Sequence, residues 1–337
     1  MSSSAPTRVP GWNRVRLALV MLRYRAALMV WLFMLLGVAQ HGGLGRLGTD
    51  HVAALVALAA SYIAATSIND IADQELDRVN HPGDAARPLV TGSATERDLW
   101  IVYAGATGVA MAAAAVVGLP ALAIAVVGLL IGFIYSVPPL AVSYRTYASP
   151  LLLMVAYVAV PYSLGVAASG AVPDQDDLLP LAAYGALFVA RIVLKDFRDS
   201  AGDSMYGRRT LLQRYGRTAV CRISLLSVVL GDALLLAALR PPLGVTVALQ
   251  GFVAGIVWML WQVEAASGLH REQVAIGIGA RLGNGLLLTV LGVLALRGAD
   301  ASPTEIVLFA WSLTVVFVVN VGALAARPDE VLVGYKG

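Results

Sequence analysis

Residues 69–92 read NDIADQELDRVNHPGDAARPLVTG and carry five acids, Asp70, Asp73, Glu75, Asp77 and Asp84. They follow directly on residues 51–68, HVAALVALAASYIAATSI, a stretch with no acid, lysine or arginine. An apolar run of this length suits a helix that crosses hydrocarbon. The acids that follow it then lie at one end of that helix. Asp70, Asp73 and Asp77 stand at i, i+3 and i+7, close to whole helical turns, so a helix places them on one face.

The rest of the chain explains the apolar run. Of 337 residues, 58% are hydrophobic and 13% charged, and the mean hydropathy is +0.76. Soluble domains carry about 25% charged residues. Here there is too little charge to coat a globule, which predicts an all-α, polytopic membrane protein. The single cysteine, Cys221, excludes an intramolecular disulfide and a cysteine-ligated metal. The net charge of +3 reads as basic loops at a membrane surface, not as a nucleic-acid surface.

Apolar runs recur at 20–39, 51–69, 98–117, 119–137, 148–170, 179–196, 217–239, 243–264, 274–296 and 303–325, predicting nine or ten spans in one membrane domain over 1–337. The basic, then apolar start is read as an uncleaved first helix behind a short segment, 1–16, and residues 326–337 as a tail. Loop charge sets the orientation. With the N-terminus in the cytoplasm of a cell-membrane protein, Arg8, Arg14, Arg16, Arg78, Arg87, Arg97, Arg145, Lys195, Arg198, Arg208, Arg209, Arg214, Arg217, Arg271, Arg327 and Lys336 lie inside, and only Arg46, Arg240 and Arg297 outside. Arg23 and Arg25 interrupt the first apolar run and are expected to snorkel to the inner interface.

A second acidic cluster repeats the first. In RIVLKDFRDSAGDSMYGRRTLLQRYG, residues 191–216, Asp196, Asp199 and Asp203 again stand at i, i+3 and i+7 after an apolar span, with Gly202 a candidate helix end before Asp203. A lone acidic run at a helix end is most often a solvated loop. Two with one spacing, on one side of the membrane and flanked by Arg78, Arg87, Lys195, Arg198, Arg208 and Arg209, suit something more specific. Facing carboxylates bind Mg²⁺ through one or two groups each, leaving positions for water and phosphate oxygens. Carboxylates mixed with arginine and lysine suit a metal-bound anion such as a diphosphate.

At these residues the sequence resembles the UbiA superfamily of intramembrane prenyltransferases. Asn69, Asp70, Asp73 and Asp77 match its first motif, N-D-x-x-D-x-x-x-D, with Arg87, Pro88 and Gly92 following as they often do. Asp196, Asp199 and Asp203, with Gly207, Thr210 and Leu211, match its second, and YSVPPL at 135–140 its Y-S/T-x-P-P segment. Many members carry a lysine soon after the two prolines. This chain reads AVSYR there, so either Arg145 is the substitute or the basic contact comes from elsewhere. Members usually have nine spans, so a tenth would be an extra C-terminal helix. The resemblance implies a helical bundle around a cavity open sideways to lipid. It implies that the six aspartates are catalytic and hold Mg²⁺, and that Asn69, Arg78, Arg87, Tyr135, Arg145, Lys195, Arg208 and Arg209 serve the diphosphate. The donor is then a prenyl diphosphate from the bilayer and the acceptor hydrophobic or aromatic, of the quinone-precursor type.

Other residues have two readings each. Arg191, one turn before Lys195, either reaches the diphosphate or pairs with a cluster aspartate. Tyr135 and Tyr144 face the site or anchor the interface, and Trp258 and Trp261 read as interface anchors. Asp232 reads as a structural pair or as facing a wet cavity, not as a metal ligand. Three competing functions use the same features: cyclisation of a prenyl diphosphate without an acceptor, transfer of phosphoribosyl to a lipid phosphate, and transport. A transporter calls for acids near the midplane on broken helices, whereas both clusters here end spans.

Overall fold

The computed structural model describes residues 11–328, so most of the N-terminal segment, with Arg8, and most of the tail, with Lys336, lie outside the described residues. Among the described residues there are helices and no strands. In chain order they are α1 (Gly11–Met21), α2 (Tyr24–Gln40), α3 (Thr49–Ala72), α4 (Gln74–Asn80), α5 (Pro88–Thr91), α6 (Glu96–Val117), α7 (Leu119–Ser136), α8 (Ala148–Met154), α9 (Val160–Ala168), α10 (Leu178–Ile192), α11 (Asp196–Met205), α12 (Leu211–Leu239), α13 (Leu243–Ala265), α14 (Leu269–Gly298) and α15 (Pro303–Ala326). The apolar runs read from the sequence are helical, with 20–39 divided between α1 and α2 and 148–170 between α8 and α9. Among the described residues nine spans are long and apolar enough to cross a membrane, and a tenth arises if the bent pair Asn13–Met21 and Ala26–Gln40 counts as one. The chain is a multi-pass membrane protein.

The breaks have local causes. α1 and α2 meet at 66°, and Arg23 between them sits in the left-handed region at φ 42°, an uncommon state for a residue with a Cβ. α8 and α9 are one span joined by a π-helical turn, Val155–Ala159. Pro161 follows it and has no N–H to give a regular helix. Gly216, at φ 78°, kinks α12, so its straight part begins at Arg217, where the apolar run begins.

The helices close a circuit. α3 packs on α6 and α7, α7 on α9, α9 on α2, α2 on α14, α14 on α13 and α15, α13 on α12, and α12 on α10, which meets α8. Where α2 crosses α9 the backbones touch. A Cβ on Gly37 would run into the carbonyl of Tyr162, and one on Gly165 into that of Met34. Small residues that let backbones approach are what membrane helices use for packing. Outward faces are apolar, as at Leu226, Leu308 and Val319, and Trp258 and Trp261 are exposed.

At the end away from the aspartate clusters, Asp177 accepts from Tyr162 (2.6 Å) and pairs with His41 (3.0 Å), tying α2 and α9 to the start of α10. Asp232 is a structural pair, its carboxylate held by the Gln250 amide at 2.9 and 3.0 Å.

Candidate active site

The first cluster straddles a helix break. α3 ends at Ala72, Asp73 takes the capping position (φ −99°, ψ 12°), and α4 resumes at Gln74. Asp70 and Asp77 still converge, because Arg87 reaches Asp70 Oδ1 (2.5 Å) and Asp77 Oδ2 (2.8 Å) together. The loop explains its reach. Asp84 accepts from the Ala86 N–H (2.9 Å), Pro88 opens the one-turn α5, and Gly92 at φ 71° closes it. A proline at the first helical position and a glycine past the last are the usual helix boundaries. Arg87 sits just ahead of Pro88 and is aimed back at the acids.

The second cluster comes from the end of the sixth apolar run. α10 tightens into a 3₁₀ turn over Val193–Lys195 and α11 carries the three aspartates. The tighter turn rotates each residue further about the axis. Arg191 and Lys195, four apart, therefore point to different cavities. α11 runs unbroken through Gly202, which is not a helix end. A Cβ there would fall 2.7 Å from Asn80 Oδ1, and the Asn80 oxygen accepts from the Gly202 N–H (2.7 Å).

Two more links join the clusters. Arg208 donates to Asp73 (2.7 Å) and pairs with Asp203 (3.5 Å), and His81 lies 3.5 Å from Asp199, which also pairs with Arg198 (3.0 Å). Gly207, at φ 71°, turns the chain, and Thr210 caps α12 through the Gln213 N–H. The turn sends Arg208 inward, stacked over the Tyr144 ring at 4.7 Å, and leaves Arg209 exposed. Buried acids need such partners, since an unpaired buried charge costs several kcal/mol.

Burial raises the Asp77 carboxyl to about 6, with Arg87 opposing and Asp70 and Asp73 adding to the rise. Burial also raises Asp203 to about 7 against the pull of Arg208. Arg208 is itself buried, which disfavours its charge, but Asp73 more than compensates and its pKa is raised.

The clusters form one end of a cavity with an empty volume of about 1270 Å³, counting its open mouth. Asp73, Asp77, Asp199, Asn69, Arg87, Lys195, Arg208 and Tyr135 line it. Asn69 donates to Asp73 (2.9 Å), and Lys195 lies 3.4 Å from the Tyr135 hydroxyl. The other end is apolar, with Val30, Leu58, Ile131 and Val160, and Tyr62 and Tyr157 meet edge to face inside it at 5.9 Å. Asp70 stands behind the lining, buried by Arg23 and Arg87. Asp203 stands behind Arg208. Asp196 faces a small adjoining pocket with Arg145 and Arg209. Arg78 turns outward and pairs with Glu75 on the surface.

Several partners were not evident in the sequence. Arg23 does not snorkel. It pairs with Asp70 at 2.6 Å and lines the cavity. Its signal was a charge inside an apolar run, read as an interface anchor. Arg25 has no described side chain. Arg191 donates to Asn284 (2.7 Å), a partner not read from the sequence. Asn80, His81, Tyr62 and Tyr157 gave no motif.

Among the described residues no three acidic, histidine or cysteine side chains converge into a ready-made metal cage. Mg²⁺ needs less, since it keeps waters and takes one or two carboxylates beside phosphate oxygens. Asp70 Oδ2 is buried with no hydrogen-bond partner, a gap that a cation would fill. The residues fit a Mg²⁺-bound anion.

The profile of the UbiA prenyltransferase family matches residues 19–278. The chain belongs to that family. Family relatives include digeranylgeranylglyceryl phosphate synthase of Methanopyrus kandleri, 32% identical over 53% of this chain and 63% of that protein. Chloroplastic chlorophyll synthase of Arabidopsis thaliana is 28% identical over 44% and 40%. The matched region thus spans less than two thirds of either relative. The family fold recurs in a UbiA homologue from Archaeoglobus fulgidus bound to GPP and Mg²⁺ (TM-score 0.56, 17% identity, 92% of this chain and 99% of that one). It recurs again in an apo UbiA homologue from Aeropyrum pernix K1 (TM-score 0.60, 20% identity, 79% and 97%).

Proposed function

We propose that this cavity binds a Mg²⁺–prenyl diphosphate and transfers the prenyl group to a hydrophobic acceptor. The observation that carries this is one cavity with acids and arginines at one end and an apolar interior at the other. Asp73, Asp77 and Asp199 at the lining, with Asp70, Asp196 and Asp203 beside them, would hold the metal. Bound Mg²⁺ neutralises diphosphate oxygens and stabilises the leaving group.

The chain's own residues supply the rest. Arg87, Arg208, Lys195, Asn69 and Tyr135 bind and orient the diphosphate, joined by Arg23, with Arg145 and Arg209 behind them near Asp196. In the ligand-free state those arginines occupy the carboxylates, and donor binding exchanges that pairing for contacts to phosphate. The C1–O bond breaks with its electron pair leaving on the diphosphate. The acceptor's electron pair forms the new bond to C1, and the acceptor's proton passes to solvent. Tyr62 and Tyr157 offer ring faces to the allylic cation, and the packed walls exclude water. The apolar lining favours an isoprenoid over a phosphoribosyl donor. The acids at span ends favour an enzyme over a transporter. The relatives' names cover a lipid phosphate and a chlorophyll, so the acceptor is taken as hydrophobic, with an aromatic quinone precursor as one member of that class.

Product formation from labelled geranylgeranyl diphosphate tests this. Asp70→Ala and Asp199→Ala are expected to abolish Mg²⁺-dependent turnover in folded protein. Arg87→Ala raises donor KM roughly ten- to a hundredfold, the loss of a charge-assisted contact of about 1.5–3 kcal/mol. Arg87→Lys recovers part of it, because an ammonium cannot make the forked contact. Near-normal activity in both aspartate variants would refute the reading.

A further inference from the structure

α12 turns one stripe of side chains to the outside of the bundle. Thr218, Arg222, Leu226, Leu230, Ala233 and Ala237 are exposed at steps of three and four residues, which places them on one helical face. Cys221, Ser224, Val228 and Leu235 turn inward and are buried. Leu226 is 69% exposed within a helix long and apolar enough to cross a membrane, so the stripe meets lipid. Arg222 is the charge on it. Among the described residues Arg222 makes no ion pair, hydrogen bond or ring contact. In this it differs from the other span arginines, since Arg23 meets Asp70, Arg191 meets Asn284 and Arg217 meets Glu272. An arginine facing hydrocarbon without a counter-charge is costly, and the cost falls when the side chain reaches a headgroup.

The depth of Arg222 follows from α13, which runs antiparallel to α12. Gln250 holds Asp232 midway along the pair, and Arg217 donates to the carbonyls of Val263 and Ala266 at the end of α13. Ten residues from Asp232 toward the aspartate clusters is Arg222, and ten from Gln250 in the same direction is Leu260, beside Trp261. Arg222 and Trp261 therefore lie at one level. Trp261 is 63% exposed, Trp258 is exposed one turn deeper, and neither indole N–H has a partner among the described residues. Exposed tryptophans mark the headgroup level of a bilayer. Arg222 follows Arg217 by about 7.5 Å of helical rise, within the length over which an arginine snorkels. Glu264, the exposed acid of α13 at this end, forms no ion pair with it.

We propose that an anionic phospholipid binds at this level between α12 and α13. Its phosphate lies on the Arg222 guanidinium, with the Thr218 hydroxyl and the Trp261 indole N–H as further donors, and its acyl chains follow Leu226 and Leu230. A guanidinium takes two oxygens of a phosphodiester at once. A net anionic lipid such as phosphatidylglycerol fits better than a zwitterionic one. No protein acid balances Arg222, and a choline or ethanolamine headgroup brings its own cation to the phosphate. Neither Arg222 nor Trp261 lines the aspartate cavity, so the lipid site stands whatever that cavity transfers.

The test is native mass spectrometry of the full chain in detergent, titrated with phosphatidylglycerol, phosphatidylethanolamine or phosphatidylcholine of the same acyl chains. The first phosphatidylglycerol is expected to bind more tightly than either zwitterionic lipid. Arg222→Ala is expected to weaken it roughly tenfold, the loss of one charge-assisted contact, and Arg222→Lys to recover part. Arg97→Ala removes an exposed arginine at the same end of the bundle and is expected to leave the affinity unchanged. If Arg222→Ala does not purify as folded protein, Arg222→Gln removes the charge and keeps a polar side chain. Phosphatidylglycerol carrying a diazirine in its acyl chain is expected to label peptides covering 218–230 and 258–265. Equal affinity for the three lipids would mean ordinary annular contact. An equal loss in Arg97→Ala would mean a diffuse positive field. Unchanged affinity without the Arg222 charge, or a dimer that excludes the lipid, would mean that no lipid binds at this face. Each of these results overturns the proposal.

Discussion

Arg87 holds Asp70 and Asp77 together, and Arg208 holds Asp73 and Asp203. These two guanidiniums stand where bound cations and phosphate are proposed to sit. The price of that arrangement is proton competition. Burial raises Asp77 to about 6 and Asp203 to about 7, and a protonated carboxyl does not bind a metal. Above pH 7 both are ionised and Mg²⁺ displaces no proton. Between pH 6 and 7 binding must release about one proton, and below 6 about two. Apparent Mg²⁺ affinity is therefore expected to rise about tenfold from pH 6 to 7 and to flatten above. Mg²⁺ titrations of donor-analogue binding across this range check it, and equal affinity at pH 6 and 8 would show that neither carboxylate is a ligand. The sequence displayed all six aspartates. It did not display Arg23 as a partner of Asp70, because an arginine in an apolar run looks the same whether it reaches out to the interface or in to an acid.

At the scale of helices, the site depends on α2 and α9 crossing in backbone contact, since α2 follows Arg23 and α9 continues the turn that carries Tyr157. Gly37→Ala and Gly165→Ala each place a methyl against a carbonyl that cannot move aside. Overpacking of this kind costs about 1–3 kcal/mol. Both variants are expected to lower the thermal midpoint in detergent, while Gly105→Ala, whose Cβ meets nothing within 4 Å, does not. Equal midpoints in all three would mean that the crossing relaxes freely. The apolar runs from 51–69 onward each fall on one of the nine spans among the described residues, because hydrocarbon length sets the run length, whereas 20–39 is divided by the bend between α1 and α2. The bend at Arg23 and the π-helical turn before Pro161 were not read, since each is set by what the helix packs against.

For the whole molecule, the two clusters lie at one end of the bundle, joined through Asn80–Gly202, Arg208–Asp73 and His81–Asp199. We infer from the arginine asymmetry that this end faces the cytoplasm. Single cysteines at 83–86 and 174–177, in a Cys221→Ser background, are expected to react with an impermeant maleimide on intact cells only at 174–177. Reaction at 83–86 from outside would reverse the orientation. Cys221 itself is buried, 3% exposed, so its removal takes away background and not a surface group.

Composition alone determined that this chain lives in a membrane, because a surface with so little charge has no stable form in water. Spacing alone determined that two sets of three carboxylates exist, because helical periodicity puts such residues on one face. Only the tertiary structure decided which bases meet which acids. Arg78, Arg87, Arg208 and Arg209 look alike in the chain, yet Gly207 and the Pro88-to-Gly92 turn send Arg208 and Arg87 inward while Arg78 and Arg209 stay outside. Only the tertiary structure could show Tyr157 stacked on Phe188, because those rings come from segments 31 residues apart.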